Sequence, residues 1–395
     1  MVMAQSPLTD FVDPAATHTE SINRTVVAPL ELSNRKRERL ERAVKQWQAI
    51  AGRMADLMPS FDSRLWRPQQ TTLWRTVKEE FPDHSLKAHT AYEAAFKVAE
   101  AFGSWDSNGR PSDNHPGRPF GRGSYIRFDH SSVELVENDR GYGVKLGLEP
   151  RKPEWFHLPT GDYQREYFDR VTDGDAETAS AEVHLSSDGA TLHLVVKEDV
   201  EVYDATDVPR FVGVDIGETV LYAAAVTEVL NSPSVEAVEM QPGREFRHYR
   251  DRLNEKRKRL GEKGDLRGVR ECRGDRERYT EQVTDEASRA IVDLAQSYAP
   301  CGIALENLTG YRQTAEDAIH DWPFALMQKK IAYKATGAGI PVESINAAGT
   351  STTCRKCGQT DAAARDGSDF ACHRCGYEIH ADVNAAINIA QRAAE

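Results

Sequence analysis

Apolar residues return at two different spacings along this chain, and the change of spacing divides it into segments. After Ser33, which can cap a helix, they return every three or four positions over Leu40–Met58 and again over Leu86–Phe102. That spacing predicts amphipathic helices. From Tyr125 onwards apolar and polar residues alternate in short runs, which is typical of strands.

The strand-rich block contains a predicted hairpin, in which Val183–Leu185 and Leu192–Val196 flank an Asp-Gly turn pair. Thr25–Leu30 has the composition of one more short strand. We therefore expect a small barrel or sandwich whose first strand is separated from the others by a helical insert. The stretch 103–123 is rich in Gly, Pro, Ser, Asn and Asp, which predicts a linker or long loop.

Strands and helices alternate after residue 206, and this alternation indicates an α/β layer. The predicted strands are Phe211–Ile216, Val220–Val226, Gly302–Leu305 and Pro341–Ile345. The predicted helices are a basic segment over 244–278, a helix capped by Thr284, and the segments Asp321–Thr336 and Val383–Ala393.

Composition places limits on the class of protein. The chain has 395 residues, with 50 basic and 62 acidic side chains and a formal net charge of −12. An acidic total ordinarily argues against a nucleic-acid partner. Only 15 of the basic residues are lysine and 35 are arginine, and we interpret the acidic, lysine-poor surface as adaptation to high salt, which suggests a halophilic source.

The N-terminal segment 1–21 carries prolines and acidic residues but lacks the apolar core of a secretory signal, so we expect a disordered tail. No apolar run approaches the ~20 residues that a membrane-spanning helix needs. We therefore expect a cytoplasmic protein with no membrane partner. In that compartment cysteines serve as metal ligands or core residues more often than in disulfides.

Four of the six cysteines form two pairs at metal-ligand spacing, CRKCG at 354–358 and CHRCG at 372–376. Two tight turns of this kind present four thiolates to one tetrahedral zinc ion. Because four cysteines leave no open coordination position, we predict one structural Zn²⁺ rather than a catalytic one. The predicted ligands are Cys354, Cys357, Cys372 and Cys375.

Three acidic residues lie at positions where burial of an ionised carboxylate is energetically unfavourable. Asp215 lies within the apolar strand FVGVDIG, Glu306 ends the strand GIALENL, and Asp382 falls in the first turn of the last helix. A buried carboxylate is unfavourable unless it is paired or bound to a metal. Three such groups can share two Mg²⁺ ions, which prefer oxygen ligands and promote phosphodiester hydrolysis.

An alternative interpretation concerns Asp215 alone. The run from Asp215 to Thr219 fits the D-x-G-x-T phosphate loop of the actin and sugar-kinase ATPases. That class would need a second phosphate loop and an adenosine loop downstream. No persuasive pair is present, and a zinc ribbon has no place in that fold.

The order of these motifs resembles the TnpB (OrfB) family of insertion-sequence transposons, which is related to type V CRISPR effectors. The matching segments run from GVDIG through IALENL, TSTTCRKCG and CHRCGYE to ADVNAAINIA, within 206–395. The resemblance implies a multidomain α+β protein with an RNase H-like, RuvC-type nuclease domain. It also implies that Asp215, Glu306 and Asp382 are its catalytic triad.

The resemblance further implies a domain order along the chain. The expected ranges are a wedge-like β-barrel at 22–32 and 106–205, a helical recognition insert at 33–105, a nuclease domain at 206–350 and 379–395, and a zinc ribbon at 351–378. Many members have Asp-Arg-Asp ahead of the Asn-Ala-Ala stretch, whereas this chain has His380-Ala381-Asp382. His380 could contact the scissile phosphate in place of the arginine or cap the helix, and we favour the cap.

The resemblance implies cleavage of double-stranded DNA under the direction of a transposon-derived guide RNA. We separately expect a monomer or weak dimer. Two basic helical segments could contact phosphate or could be solvated helices with ion pairs one turn apart, and beside a nuclease triad we favour phosphate contact. The candidate contacts are Arg35, Lys36, Arg39, Arg250, Lys256, Arg257, Lys258 and Arg259. The alternative functions are a nuclease-silent, RNA-guided DNA-binding regulator and an accessory protein of a transposase.

Overall fold

The computed structural model describes residues 15–110, 115–116, 124–230, 234–307 and 323–395. The chain forms two compact units. One runs from Ser21 to Asp199, and the other comprises Val200–Glu395 together with the residues before Ser21. Each unit encloses its own cluster of buried apolar side chains.

The unit Ser21–Asp199 combines helices with antiparallel strands. Its helices are α1 (Asn34–Leu57), α2 (Thr71–Glu80), α3 (Ala88–Ser107) and α4 (Asp162–Asp173). The Ser33 side chain caps α1 by accepting a hydrogen bond from the backbone N–H of Lys36, as its sequence predicts. Helices α2 and α4 are absent from the sequence prediction, because their apolar stripes are short.

The strands of this part of the chain form two sheets. They are β1 (Thr17–Pro29), β2 (Tyr125–Asp129), β3 (Val133–Asn138), β4 (Gly141–Glu149), β5 (Lys152–His157), β6 (Ala176–Leu185) and β7 (Ala190–Tyr203). One sheet has the order β1-β7-β6-β2 and the other the order β3-β4-β5. The predicted hairpin is confirmed, since β6 pairs with β7 in an antiparallel register that includes Leu185 and Ala190.

Two predicted boundaries need correction. Strand β1 begins at Thr17, so the end of the segment expected as a disordered tail is an ordered strand. Residues 1–14 lie outside the described residues. Helix α3 continues to Ser107, past the start of the predicted linker, and most of that linker also lies outside the described residues.

The second unit is built on a mixed five-stranded sheet. Its strands are β8 (Arg210–Asp215), β9 (Val220–Glu228), β10 (Ser234–Pro242), β11 (Gly302–Asn307) and β12 (Val342–Asn346). Their order is β10-β9-β8-β11-β12, with antiparallel pairing from β10 to β8 and parallel pairing from β8 to β12. The predicted α/β layer is therefore present.

The helices of this unit are α5 (Arg244–Glu262), α6 (Leu266–Ser297), α7 (Phe324–Thr336) and α8 (Ala381–Arg392). The basic segment predicted over 244–278 is thus divided between two helices. Thr284 lies inside α6, where its hydroxyl donates to the carbonyl of Thr280, so the predicted helix start at Thr284 is wrong. None of the described helices is long and apolar enough to cross a membrane.

Alternation along β8 and β11 assigns their residues to two faces of the sheet. Val212 and Val214 belong to the apolar cluster that also contains residues of α6 and α7. Gly213 points to the opposite face, where α8 lies so close that a Cβ atom would stand 2.0 Å from the Ala386 carbonyl oxygen. Only glycine allows this approach, and it fixes α8 against β8.

The close approach generates a test of the packing. Gly213→Ala places a methyl group against the α8 backbone and is expected to destabilise the protein by at least about 2 kcal/mol. Gly261→Ala is the matched control, because a Cβ atom at Gly261 meets nothing within 4 Å and alanine favours helix. Thermal unfolding checks both variants. A Gly213→Ala protein that unfolds at or above the parent temperature would contradict the packing described here.

Candidate active site and cysteine cluster

Asp215 and Glu306 lie on neighbouring parallel strands at the same edge of the sheet. Asp215 is the last residue of β8, and Glu306 stands near the end of β11. The last registered pair between the two strands is Val214 with Leu305, so each acid occupies the next position along its strand. Alternation places both side chains on the face that carries α8.

Asp382 reaches the same place from α8. It lies in the first turn of that helix, one turn before Ala386, the residue that contacts Gly213. Its side chain is 13% exposed. His380 caps the helix, because its Nδ1 accepts a hydrogen bond of 3.3 Å from the Asp382 backbone N–H. The capping role that we favoured for His380 is therefore present.

The three acids lie near enough to repel one another. Burial, together with the nearby charges of Glu306 and Asp382, raises the pKa of Asp215 to about 8. Burial also raises the pKa of Glu306, while a hydrogen bond from Thr350 opposes that rise. A carboxyl group whose pKa is raised by burial and by two neighbouring carboxylates is typical of a functional site.

Arg365 is the part of this site that sequence reasoning missed. Its Nη2 donates to Asp382 Oδ1 at 2.8 Å, and its charge opposes the rise in the pKa of Asp215. Arg365 comes from a short strand of the cysteine-rich segment, β13 (Arg365–Asp366). No spacing rule connects it to the carboxylates, although an arginine between two cysteine pairs could have been considered as a counter-charge.

The donor set fits a divalent cation. Carboxylate oxygens are the ligands that Mg²⁺ prefers. Ionisation of Asp215 is disfavoured in the cation-free protein, and a divalent ion that offsets the nearby negative charge would favour it. The residues that would hold such an ion are Asp215, Glu306 and Asp382.

The four predicted cysteines also meet. Their Sγ atoms all lie within 4.8 Å of one another, with 3.7 Å between Cys354 and Cys375 and 3.6 Å between Cys357 and Cys372. These distances exceed the ~2.05 Å of a disulfide bond. They match four sulfurs around one tetrahedral ion, for which a metal–sulfur bond of ~2.3 Å gives edges of roughly 3.8 Å.

Local backbone geometry shapes the two turns that present the cysteines. Gly358 and Gly376, the residues after each pair, have φ values of 70° and 68°, a conformation in which side chains are strained. The pKa values of the second cysteine pair move in opposite directions: hydrogen bonds, that from the Cys375 backbone N–H first among them, lower the pKa of Cys372 to about 6, and burial raises the pKa of Cys375 to about 12. Around the cluster the chain forms β13, β14 (Asp369–Ala371) and β15 (Glu378–His380), a small antiparallel sheet.

The basic residues predicted to contact nucleic acid are not all available. Arg39 forms ion pairs with Glu149, at 3.3 Å, and with Glu154. The Lys36 ammonium lies 5.4 Å from the ring centroid of Trp155. Arg250 is only 7% exposed, so its position gives no support to a surface contact with phosphate.

The other candidate contacts remain on the surface. Exposed side chains are those of Arg35, Lys256, Arg257, Lys258 and Arg259. Arg259 also lies 3.6 Å from Glu255 one turn earlier, which is the ion pairing expected of a solvated helix. Helix α5 thus has exposed basic side chains, which phosphate contact requires, and also an ion pair one turn apart, which is typical of a solvated helix.

Comparison with known proteins agrees with this architecture. The chain has the fold of the Cas12f1 chain in a cryo-EM structure of the Cas12f1-sgRNA-target DNA complex. The TM-score is 0.64 over 94% of this chain and 98% of that chain, at 15% sequence identity. The chain therefore shares the multidomain α/β fold of that protein.

Sequence comparison points in the same direction. Residues 324–389 match the family model "Cas12f1-like, TNB domain". The chain is 28% identical over 238 residues to the CRISPR-associated endodeoxyribonuclease Cas12f1 of Sulfoacidibacillus thermotolerans. The aligned residues cover 56% of this chain and 55% of that protein. It is 27% identical over 294 residues to the Cas12f2 of Micrarchaeota archaeon (strain CG1_02_47_40), covering 68% and 53%. The chain thus spans about half the length of these curated relatives.

The raised pKa of Asp215 predicts how stability depends on pH when divalent cations are removed. Folded Asp215 keeps its proton until about pH 8, whereas the unfolded chain releases it near 3.8. Because the folded state binds this proton more tightly, its contribution to stability is lost as pH rises from about 4 to about 8.

Asp215→Asn removes this titration. In buffer that contains neither Mg²⁺ nor Mn²⁺ and no chelator that would remove zinc, we expect the melting temperature of the variant to exceed that of the parent by a margin that grows with pH between about 5 and 8. Thermal unfolding at several pH values checks the expectation. A margin that stays constant, or that shrinks as pH rises, would contradict the crowding of the three acids.

Proposed function

We propose that this protein is an RNA-guided DNA endonuclease that hydrolyses phosphodiester bonds with divalent cations. The observation that carries the proposal is the meeting of Asp215, Glu306 and Asp382 at one edge of the sheet, on a fold shared with Cas12f1. The names of the sequence relatives support it, since they are CRISPR-associated endodeoxyribonucleases.

In the proposed mechanism the three carboxylates hold two Mg²⁺ ions. Bound ions supply the charge that activates water and stabilises the leaving 3′ oxygen of DNA. The chain's own contribution is geometry: β8 and β11 fix two carboxylates, and α8 fixes the third. Arg365 holds one oxygen of Asp382 through its hydrogen bond of 2.8 Å, which leaves the second oxygen for other partners.

We propose a transposon-derived guide RNA and double-stranded target DNA as partners. The motif order that resembles TnpB supports a transposon source, and the complex of Cas12f1 with guide RNA and target DNA supports both nucleic acids. Arg35 and the exposed basic residues 256–259 are candidates for phosphate contacts. A halophilic source, a monomer or weak dimer, and a cytoplasmic location stay predictions.

We propose the following roles for the segments. Residues 33–105 form the recognition insert of a wedge-like domain at 22–32 and 106–205, and the nuclease domain comprises 206–350 and 379–395. The segment 351–378 is a zinc ribbon that holds one structural Zn²⁺ through Cys354, Cys357, Cys372 and Cys375. The mutual Sγ distances support this assignment.

The zinc assignment predicts about one zinc ion per purified chain. Cys354→Ser is expected to lower the zinc content and to destabilise the nuclease domain, because binding of a structural metal contributes directly to folding. Cys272→Ser is the matched control, since Cys272 is equally buried but lies in α6, outside the cluster. Metal analysis by mass spectrometry checks both variants, and folded parent protein without zinc would refute the assignment.

A cleavage assay tests the proposed function. The protein is purified with its co-purifying RNA, the RNA is sequenced, and matching double-stranded DNA is offered with Mg²⁺. We expect guide-dependent cleavage that Asp215→Ala reduces by about 1,000-fold or more, as for other metal-dependent active sites. Asp366→Asn, at an exposed acid beside Arg365, is expected to cleave as the parent does.

Three outcomes would redirect the proposal. Equal cleavage by the parent and Asp215→Ala would show that the metal assignment is wrong. Stable guide-dependent binding without cleavage, with both Mg²⁺ and Mn²⁺, would favour the nuclease-silent regulator. Joined transposon ends in the purified reaction would instead favour a role in strand transfer.

A further inference from the structure

Thr350 is a buried residue whose side chain faces the candidate active site. It follows β12 in the loop that leads to the first cysteine pair, and it is 3% exposed. Its hydroxyl donates to Glu306 Oε1, and the same Oγ lies 3.0 Å from the carbonyl oxygen of Ala347. A hydroxyl has one proton to donate, and an ionised carboxylate is the stronger acceptor.

The backbone of Thr350 is held by α8, the helix that carries Asp382. Asn388 is 5% exposed, and its Nδ2 donates at 2.7 Å to the carbonyl of Thr350 and at 2.7 Å to that of Thr353. These two bonds use both amide protons of Asn388. One turn earlier, Asn384 Nδ2 donates to the Thr353 carbonyl at 2.8 Å.

The backbone of Glu306 has a separate support. Gln328 Nε2 donates to the Glu306 carbonyl at 2.8 Å, and the strand pairs with β12 on one side. These bonds leave the direction of the Glu306 side chain open. In the described structure that direction is given by the Thr350 hydroxyl.

We propose that Thr350 is a positioning residue for Glu306. Because Asn388 of α8 binds the Thr350 carbonyl, the Thr350 hydroxyl fixes the Glu306 carboxylate relative to Asp382 on the same helix. The link runs from α8 to the Thr350 carbonyl and from the Thr350 hydroxyl to the carboxylate. The proposal rests on the proposed nuclease function only where cleavage activity is measured. The cation-binding measurement stands on the three carboxylates alone.

Two variants distinguish the effect of the Thr350 hydroxyl on cation binding from the effect of side-chain volume. Thr350→Val removes the hydroxyl at nearly constant volume, and Thr350→Ser keeps it. Outer-shell partners of metal ligands typically contribute 10- to 100-fold to affinity or activity. We therefore expect Thr350→Val to weaken binding of Mn²⁺ alone by about tenfold or more, and Thr350→Ser to restore it to within about twofold.

A neighbouring threonine provides the matched control. Thr352 belongs to the same loop, and its hydroxyl lies 3.5 Å from the Gly349 carbonyl. Thr352→Val is expected to bind Mn²⁺ as the parent does. Titration of the purified full chain by calorimetry or by Mn²⁺ electron paramagnetic resonance gives the dissociation constants, and zinc content with thermal unfolding confirms that each variant is folded.

Thr350→Ala provides a second test if the valine variant does not fold, since alanine adds no methyl group beside the carboxylate. A folded Thr350→Val or Thr350→Ala protein that binds Mn²⁺ with the parent's affinity would overturn the proposal and leave Thr350 a purely structural role. Cleavage lost in Asp215→Ala but unchanged in Thr350→Val would reject only the positioning role. Equal cleavage by Asp215→Ala and the parent would reject the proposed nuclease site, while Mn²⁺ affinity still decides the role of Thr350.

Discussion

Three carboxyl groups crowded at one edge of a buried sheet are the constraint on which the rest of this structure depends. Burial and mutual repulsion raise the pKa of Asp215 to about 8, so the arrangement is unfavourable in itself. It persists because contacts elsewhere in the fold hold β8, β11 and α8 in fixed positions. Gly213 lets α8 lie directly on β8, and the parallel register brings Asp215 beside Glu306. A buried carboxyl whose pKa is raised by neighbouring carboxyl groups is typical of a functional site.

The cysteine-rich segment contributes to the carboxylate site as well as to its own stability. It supplies Arg365, the counter-charge on Asp382, and its first loop supplies Thr350, the donor to Glu306. Asn384 and Asn388 tie that loop to the helix that carries Asp382. Part-buried and buried hydrogen bonds therefore connect the cysteine-rich part of the chain to Glu306, Asp382 and α8.

Sequence reasoning located the acids and the cysteines because each belongs to a local pattern. An acid in an apolar strand and a pair of cysteines two residues apart can be recognised without knowledge of the fold. Arg365 and Thr350 could not be predicted in this way, since their roles arise only when distant segments meet. The basic residues show the opposite error: charge density along α1 and α5 does not reveal that Arg39 is paired with glutamates or that Arg250 is buried.

The most direct test of the account is the position of Mn²⁺ in crystals of the protein, located by anomalous scattering. The account predicts a peak at the edge of the sheet, within about 2.2 Å of carboxylate oxygens from Asp215, Glu306 and Asp382. Zinc at the four cysteines provides an internal reference in the same crystal. Anomalous peaks elsewhere, with the three carboxylates free of the ion, would contradict the claim that they form one cation-binding site.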